Sequence, residues 1–228
     1  MSGSSFDFGT FADVYDQWYD TEEGHLFDRL EKRGLRSLIG EIGPGDTMLE
    51  VGSGTGWWSR FFVSLGYRVV GVDISAEMVR VARSRDIGHA QFETGDGHRL
   101  PFDDHRFSAA AAITSLEFTR EPGQVIREMI RCTRPGGRIF LGLLNGEARI
   151  NQQRKMQGEG AFRAARFLAI PDLDALLGPY GRFTARPCAF PMSLKIPVPV
   201  AGWVDDFQAR LGLKGAVFIA VRLDRRTP

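Results

Sequence analysis

Three glycines at alternate positions follow an apolar segment that is predicted to be a β-strand. Gly52, Gly54 and Gly56 come directly after the segment from Thr47 to Val51. Glycine allows the backbone to adopt a positive φ and allows a ligand to approach without meeting a Cβ atom. The following residues are predicted to form a helix, whose first N–H groups lack partners within the helix. The pattern is typical of a loop that binds the nucleoside part of a cofactor.

An acidic residue ends the next apolar segment, Arg68 to Val72. Asp73 therefore stands where a carboxylate can accept hydrogen bonds from both hydroxyls of a ribose. Such a carboxylate needs a partner, because burying an unpaired charge costs free energy. Counting from Gly52, the last glycine of the dinucleotide fingerprint G-x-G-x-x-G falls at Trp57. The sequence therefore argues against a dinucleotide cofactor.

Three further motifs follow the glycine loop along the chain. They are Val72-Asp73-Ile74-Ser75 with Met78, Gly95-Asp96-Gly97 followed by Leu100-Pro101-Phe102, and Arg134-Pro135-Gly136-Gly137-Arg138. Together with the loop from Glu50 to Gly56, these motifs resemble in type and order those of the class I S-adenosylmethionine-dependent methyltransferases, particularly the small-molecule group called type 11. The resemblance extends from about Thr47 to Leu144. It implies S-adenosylmethionine as cofactor, S-adenosylhomocysteine as product, and in-line transfer of a methyl group to an O, N, S or C atom of a small-molecule acceptor.

The resemblance also implies a role for each part of the glycine loop. The loop from Gly52 to Gly56, which includes Ser53 and Gly54, would lie against the ribose and the methionine moiety. Glu50 would order this loop or reach the ammonium group of the cofactor through water. Asp73 would accept the hydrogen bonds of the two ribose hydroxyls.

The other motifs supply the adenine and sulfonium ends of the expected site. By resemblance, Ile74 and Met78 cover the adenine, Asp96 accepts from its exocyclic amine, and the Gly97 N–H meets a ring nitrogen. Met78 on a predicted helix fits the ordinary core equally well, and Asp96 has the alternative of capping a turn. The residues that leave the fourth predicted strand and should line the sulfonium end are Thr114, Ser115 and Leu116.

An aromatic arm precedes the first predicted helix. Its members are Phe6, Phe8, Phe11, Tyr15, Trp18 and Tyr19. The arm resembles a lid of related enzymes in which a tyrosine, here Tyr15, touches the cofactor. The alternative is that these rings only pack the N-terminus onto the sheet. Under either hypothesis Tyr15, Trp18 and Tyr19 are predicted to share one helical face.

The motifs do not identify a general base. Many relatives carry an acidic or small residue where this chain has His98, and a histidine where it has Phe118. Methyl transfer needs alignment and a desolvated pocket more than acid or base help, because the leaving thioether is neutral. Candidate groups on the acceptor side are Tyr15, Tyr19, Glu117, His98 and the basic segment from Gly146 to Arg166. Two alternatives remain: a protein that binds the cofactor without catalysis and, less favoured, a nucleotide-dependent oxidoreductase.

The elements that must position these residues alternate between β-rich and helical patterns. Predicted strands are Thr47 to Val51, Arg68 to Val72, Ala90 to Thr94, Phe107 to Thr114, Arg138 to Leu144, Phe183 to Arg186 and Ala216 to Val221. One helix is predicted from Leu26 to Ile42. Three others are predicted to begin after Ser75, at Pro122 and at Asp172. The alternation predicts an α/β, Rossmann-like, doubly wound and mostly parallel sheet. The resemblance adds a total of seven strands and an antiparallel C-terminal hairpin.

Composition sets the remaining expectations. The 228 residues are predicted to form one domain, with an arm and helix in 1–45, a cofactor-binding core in 46–145 and a substrate-side segment with the last strands in 146–228. A net charge of +1 gives no field that would gather nucleic acid or an anionic membrane. There is no basic start followed by an apolar run, so a cytoplasmic protein is expected. Cys132 and Cys188 are too few and too far apart for a thiolate metal site, and none is expected. The sequence does not indicate the acceptor, the oligomeric state, or the role of the Pro-rich stretch from Pro191 to Trp203.

Overall fold

The computed structural model describes residues 8–157, 160–192 and 195–227, so Phe6 of the aromatic arm lies outside the described residues. The strands in this part of the chain are β1 Thr47–Val51, β2 Arg68–Asp73, β3 Ala90–Thr94, β4 Phe107–Ile113, β5 Thr133–Leu144, β6 Gly181–Cys188 and β7 Phe218–Arg225. They form one sheet in the order β3-β2-β1-β4-β5-β7-β6. Neighbours from β3 to β5 pair in parallel, whereas β7 is antiparallel to both β5 and β6. The predicted mostly parallel sheet with an antiparallel hairpin is confirmed.

Helices cover both faces of the sheet. They are α1 Glu22–Arg36, α2 Trp57–Ser64, α3 Ala76–Ser84, α4 Pro122–Cys132, α5 Arg149–Gln157, α6 Ile170–Leu177 and α7 Val198–Arg210. On one face α4 and α6 bury Val125, Met129 and Leu173 against the sheet. On the other face α1 and α2 bury Phe27 and Phe62. Because both faces are covered, the central strands β1 and β4 are buried along almost their whole length, as parallel strands in such a sheet are.

The predicted start signals of two helices are confirmed. The Ser75 hydroxyl accepts a hydrogen bond from the Met78 N–H at 3.2 Å and caps α3. Pro122 occupies the first turn of α4, where its missing N–H would have had no helical partner. These caps fix the directions in which the chain leaves β2 and approaches β5.

The first helix was predicted at the wrong position. It spans Glu22–Arg36 and not Leu26 to Ile42, because the Thr21 hydroxyl accepts from the Gly24 N–H at 3.0 Å and starts the helix earlier. The aromatic arm is also different from its prediction. Tyr15–Asp20 is a 3-10 helix, in which residues three apart are in line, so Trp18 is 38% exposed while the next ring, Tyr19, is 7% exposed. Tyr15, Trp18 and Tyr19 therefore do not share one face.

The C-terminal part contains the predicted types of element, but their bounds differ from the prediction. The segment from Gly146 to Arg166 is partly helical, as predicted, and contains α5; residues 158 and 159 are not described. The proline-containing stretch from Ile196 to Val200 is not a strand, and it opens α7 with Pro199 in the first turn. This helix exposes the large side chains Trp203 and Phe207. The role of the stretch from Pro191 to Trp203, of which 193 and 194 are not described, stays open. No described helix is long and apolar enough to span a bilayer.

Candidate functional site

An open cleft of about 720 Å³ lies at the carboxyl ends of β1, β2 and β4. At β1 the direction of chain progression through the sheet reverses, since β2 and β3 lie on one side and β4 and β5 on the other. Doubly wound sheets bind ligands at such a switch point. Ten of the residues predicted for cofactor binding line the cleft, namely Tyr15, Gly52, Gly54, Asp73, Ile74, Met78, Asp96, Gly97, Thr114 and Ser115. Other residues that line it include His98 and Phe118, and also Phe8 and Thr119.

The glycine loop leaves β1 with three positive φ angles. These are 73° at Gly52, 53° at Gly54 and 81° at Gly56, a backbone region that side chains rarely adopt. A Cβ atom at Gly52 would lie 2.4 Å from the Cβ atom of Ser115, so the loop packs directly on the end of β4. A Cβ atom at Gly54 would meet nothing within 4 Å, so this part of the backbone faces open space.

Asp73 links the loop to the end of β2. Its Oδ2 accepts from the Gly54 N–H at 2.8 Å and its Oδ1 accepts from the Ser75 N–H at 2.9 Å. Burial raises the pKa of the Asp73 carboxyl, while the N–H groups of Ser75, Gly54 and Ile74 act in the opposite direction. A carboxylate has about four acceptor sites in all, so these backbone donors still leave room for a donor from a ligand. The partners that the sequence predicted for Asp73 are therefore backbone N–H groups, and the carboxylate can still accept a hydrogen bond from a ligand.

Glu50 supports the loop from below and does not line the cleft. Its carboxylate is 2% exposed and accepts a short hydrogen bond from the Ser59 hydroxyl at the start of α2. Burial raises the pKa of Glu50 to about 8, and the nearby charge of Asp73 adds to this. The resemblance implied two alternative roles for Glu50, ordering the loop or reaching the ammonium group of the cofactor. This geometry agrees with the first. It also fixes α2 relative to β1.

Three other predicted residues lie behind the cleft wall. Ser53 is 4% exposed, and Gly56 caps α2 with a left-handed conformation while its backbone faces Ile87 and Phe92. Leu116 is 1% exposed and belongs to the hydrophobic core beneath the sheet. Its expected position at the sulfonium end is corrected, because the 3-10 turn Leu116–Phe118 directs Leu116 inward and brings Phe118 to the cleft.

The predicted adenine side combines an exposed and a buried apolar residue. Ile74 is 37% exposed, whereas Met78 is 2% exposed and packs in a small cluster with Ala12 and Val81 while still lining the cleft. Met78 is thus both a core residue and a wall of the cleft. From the sequence, the core and the adenine site were alternative locations for Met78.

Asp96 forms a closed turn with His98. The Asp96 Oδ1 accepts from the His98 N–H at 2.9 Å and lies 2.7 Å from the His98 Nδ1. Burial acts to raise the pKa of Asp96, but the hydrogen bonds from His98 outweigh it and the pKa is lowered. A Cβ atom at Gly97 would lie 2.8 Å from a methyl group of Val51, so only glycine fits here. Asp96 therefore presents an ionised carboxylate at the cleft.

The end of β4 carries local strain next to the cleft. Thr114 has φ at 46°, which is unfavourable for a β-branched residue, and its N–H donates to the Gly142 carbonyl at 2.7 Å. The Ser115 hydroxyl donates to the Val51 carbonyl at 3.0 Å and ties β4 to β1. These bonds hold both residues at the expected sulfonium end.

The aromatic arm lies over one side of the cleft. Phe8 makes an edge contact with Phe118 at 5.0 Å between ring centroids, and Phe8 and Tyr15 both line the cleft. Asp16 anchors the arm, since its Oδ1 accepts from the Thr55 hydroxyl at 2.7 Å and its Oδ2 pairs with Arg85. The aromatic pattern had indicated the arm, but no sequence signal identified Thr119, and Asp16 had no predicted role.

Comparisons with known proteins agree with this geometry. A family model described as a methyltransferase domain matches residues 49–141. An uncharacterised protein of Methanocaldococcus jannaschii is 31% identical over 176 residues, which make up 76% of this chain and 80% of that protein. A demethylmenaquinone methyltransferase of Renibacterium salmoninarum is 34% identical over 127 residues, covering 54% of this chain and 52% of that enzyme.

A solved structure has the same fold. It is a SAM-dependent methyltransferase of Thermotoga maritima, described as a possible histamine N-methyltransferase, with a TM-score of 0.74. The match covers 96% of this chain and 98% of that chain at 22% sequence identity. At this identity the likeness concerns the fold.

Proposed function

The chain belongs to the class I S-adenosylmethionine-dependent methyltransferases, and from this membership we propose that it transfers a methyl group from S-adenosylmethionine to an O, N, S or C atom of a small molecule by in-line displacement. The observation that carries the proposal is the meeting of the glycine loop and Asp73 in one cleft, where the Gly54 N–H donates to Asp73 Oδ2 at 2.8 Å. This contact holds a carboxylate and an uncovered backbone side by side. A nucleoside needs the carboxylate to bind its ribose hydroxyls and the uncovered backbone to approach closely.

The residues present fit such a cofactor. The open space at Gly54 accepts a ligand close to the backbone, and the cleft brings this backbone together with Asp73, Ile74 and Asp96. In the proposal Asp73 binds the ribose hydroxyls, while Ile74 and Met78 cover the adenine. Asp96 and the Gly97 N–H recognise the adenine edge. Thr114 and Ser115 line the sulfonium end.

The protein contributes alignment and exclusion of water. The donor supplies an electrophilic methyl group whose leaving thioether is neutral, so catalysis depends mainly on geometry and desolvation. The arm with Phe8 and Tyr15 covers one side of the cleft, and the segment after Asn145 is proposed to close over the acceptor. The acceptor is proposed to be a small molecule. Nucleic acid is not expected, because the net charge is only +1.

The test is acceptor-dependent release of S-adenosylhomocysteine. Purified protein is incubated with S-adenosylmethionine and separate pools of small amines, phenols, carboxylic acids, thiols and carbon acids, and the product is quantified by mass spectrometry. At least one pool should raise product formation well above the rate without acceptor. Cofactor binding without release in any pool would favour a non-catalytic binding protein and contradict the proposal.

A further inference from the structure

A stripe of large apolar side chains is exposed along α7. Trp203, Phe207 and Leu211 follow one another at intervals of four residues, so they lie on one side of the helix. Trp203 is 75% exposed, Phe207 is 62% exposed, and Leu211, the cap residue at the end of the helix, is 58% exposed. Val200, three positions before Trp203, is also exposed and extends the same side. These four residues are called the α7 stripe.

The opposite side of α7 attaches the helix to the fold. The buried Asp205 carboxylate accepts hydrogen bonds from the N–H groups of Ala189 and Phe190, at 3.1 Å and 2.8 Å. Asp206 accepts from the guanidinium of Arg33 on α1. The inner side of α7 is therefore fixed, and the α7 stripe projects outward from a helix that the fold holds in place.

Arginines of α1 lie beside this helix. A Cβ atom at Gly202 would lie 3.2 Å from Arg33 Cδ, so the Arg33 side chain packs along α7. Arg29 is four residues before Arg33 and Arg36 is three residues after it, which places them on the same face of α1. All three arginines are exposed. The helix α1 therefore presents a row of positive charge next to α7.

Acidic side chains do not balance this charge. Of the two acids of α7, the one that is not buried is Asp206, and it is shared between Arg33 and Arg186 of β6. Arg210 in the last turn of α7 and Lys214 beyond the helix are exposed and add further positive charge. The surface around the α7 stripe is therefore basic.

The local charge matters more at this face than the net charge of the chain. The sum of +1 predicted no attraction to an anionic membrane, but it includes charges on every side of the molecule. Exposed charges further apart than about 8 Å are largely screened at physiological ionic strength. The arginines of α1 and the basic end of α7 therefore determine what this face attracts.

We propose that the α7 stripe and the basic side chains around it dock onto the surface of an anionic lipid bilayer, with Trp203 and Phe207 at the boundary between headgroups and acyl chains. Trp, Phe and Leu on one side of a helix, with Arg or Lys close by, are typical of helices that lie in this boundary. The long stems of Arg and Lys let their charged groups reach the lipid phosphates beside the buried apolar side chains. This inference is independent of the proposed methyl transfer.

A bilayer fits this face better than a protein partner does. The stripe projects from the convex side of a helix, so a protein would need a groove of matching shape, whereas lipids rearrange around any shape. The cations lie on two helices and beyond the end of α7, which suits a surface that is anionic throughout. A second copy of this chain is disfavoured, because a symmetric dimer through this face would bring like charges together.

Vesicle binding by the full chain tests the proposal. Co-sedimentation is measured with vesicles of phosphatidylcholine and phosphatidylglycerol in equal parts, and with vesicles of phosphatidylcholine alone. Binding should be at least about ten-fold stronger on the anionic vesicles, because several cations each add to the attraction, and it should weaken as salt is added. Binding to neither kind of vesicle, or equal binding to both, would overturn the proposal.

Variants with matched controls locate the binding surface. Phe207→Ala should weaken binding to the anionic vesicles about ten-fold, the usual effect of losing a buried aromatic side chain. Ile170→Ala, at an exposed apolar residue of α6 on the opposite face of the sheet, should leave it unchanged. Likewise Arg36→Gln should weaken binding about three- to five-fold, and the exposed Arg127→Gln on α4 should not. Wild-type binding by both Phe207→Ala and Arg36→Gln would contradict the assignment.

Tryptophan fluorescence shows which side chain enters the bilayer. The wild type should show a blue shift of emission on the anionic vesicles. Trp203→Phe keeps an apolar ring and should still bind, but it should lose this shift. A shift that persists in Trp203→Phe would mean that another of the four tryptophans enters the lipid, and the α7 stripe would be the wrong surface.

Analytical ultracentrifugation without lipid separates the bilayer from a second copy. The wild type and Phe207→Ala should sediment as the same species. A wild-type dimer that Phe207→Ala dissociates, together with no binding to vesicles, would overturn the proposal in favour of an interface between two copies of this chain.

Discussion

At the scale of single residues, the glycines of the loop are not equivalent although the sequence pattern treats them alike. Gly52 and Gly54 both have positive φ, at 73° and 53°. A side chain at Gly52 would collide with Ser115, whereas one at Gly54 would extend into open space. The first glycine is thus required for packing, and the second is proposed to let the ligand approach the backbone.

This difference predicts different phenotypes for two alanine substitutions. Gly54→Ala should fold with a loss of about 1–2 kcal/mol, the usual cost of a left-handed backbone with a side chain, and should lower the affinity for S-adenosylhomocysteine. Gly52→Ala should be destabilised considerably more, because the Ser115 Cβ lies 2.4 Å from the added atom. Thermal unfolding and calorimetry measure the two effects separately. A Gly54→Ala protein with unchanged affinity would show that the ligand does not approach this backbone.

The sequence predicted the residues of the cleft whose roles depend on short motifs. Asp73 follows directly from an apolar strand that ends in an acid, and it does lie beside the glycine loop. The position of Leu116 was predicted wrongly, because the 3-10 turn Leu116–Phe118 directs its side chain into the core and not toward the cleft. The free oxygen of Glu117 was not predictable, since it depends on a hydrogen bond from Leu144, which lies 27 residues further along the chain at the end of β5.

At the scale of elements, the N-terminal arm is attached to the cleft through one acidic side chain. Asp16 accepts from Thr55 in the glycine loop and pairs with Arg85. A second arm residue, Asp13, pairs with Arg80 at 2.6 Å, but these side chains are 78% and 60% exposed. The two ion pairs can therefore be compared as a partly buried pair and an exposed pair.

We expect Asp16→Ala to loosen the arm and Asp13→Ala to have little effect. Loss of Asp16 leaves the buried Thr55 hydroxyl without its acceptor, and such losses cost roughly 1–3 kcal/mol. Exposed pairs such as that of Asp13 contribute only about 0–1 kcal/mol. Hydrogen exchange should increase across the arm in Asp16→Ala, and the affinity for S-adenosylhomocysteine should fall several-fold. Identical behaviour of the two variants would mean that Asp16 does not hold the arm.

Strands were easier to predict from sequence than the ends of helices. β1 and β3 have the predicted bounds because each is a short segment of strand-like pattern between turn residues, mostly apolar in β1 and alternating in β3. α1 was displaced because the capping role of Thr21 outweighed the apolar periodicity after Leu26. α7 was missed, since its first turn contains the prolines that had been used only to exclude a strand.

At the scale of the whole molecule, three buried carboxyl groups make stability depend on pH. Burial raises the pKa of Glu31 and Glu50 to about 8 and that of Glu117 to about 7, from an ordinary value of 4.5. The folded state therefore holds these protons more tightly than the unfolded chain. Their contribution is fully present below the unfolded pKa and is lost as the pH rises through the folded pKa.

The free energy of unfolding of the cofactor-free protein should accordingly decrease between about pH 5 and pH 8, by up to roughly 1.4 kcal/mol per pH unit for each group. Urea unfolding at several pH values measures this slope. Glu50→Gln keeps an acceptor for the Ser59 hydroxyl and should flatten the slope, whereas the exposed Glu147→Gln should not. A stability that rises over this range would contradict the assignment of raised pKa values.

The whole fold serves to bring the ends of β1, β2 and β4 together at one cleft. Helices on both faces bury the sheet, so the loops at its carboxyl edge are held by a rigid core. We propose that this cleft binds S-adenosylmethionine with Asp73 as its ribose acceptor.

Calorimetric titration with S-adenosylhomocysteine tests this claim most directly, with NADH as the comparison ligand and Asp73→Asn and the exposed Asp103→Asn as matched variants. Wild type and Asp103→Asn should bind S-adenosylhomocysteine with micromolar affinity and should not bind NADH. Asp73→Asn should lose about ten- to a hundred-fold in affinity, as expected for hydrogen bonds to a charged group. Absence of binding to the wild type, or unchanged affinity in Asp73→Asn, would contradict the account.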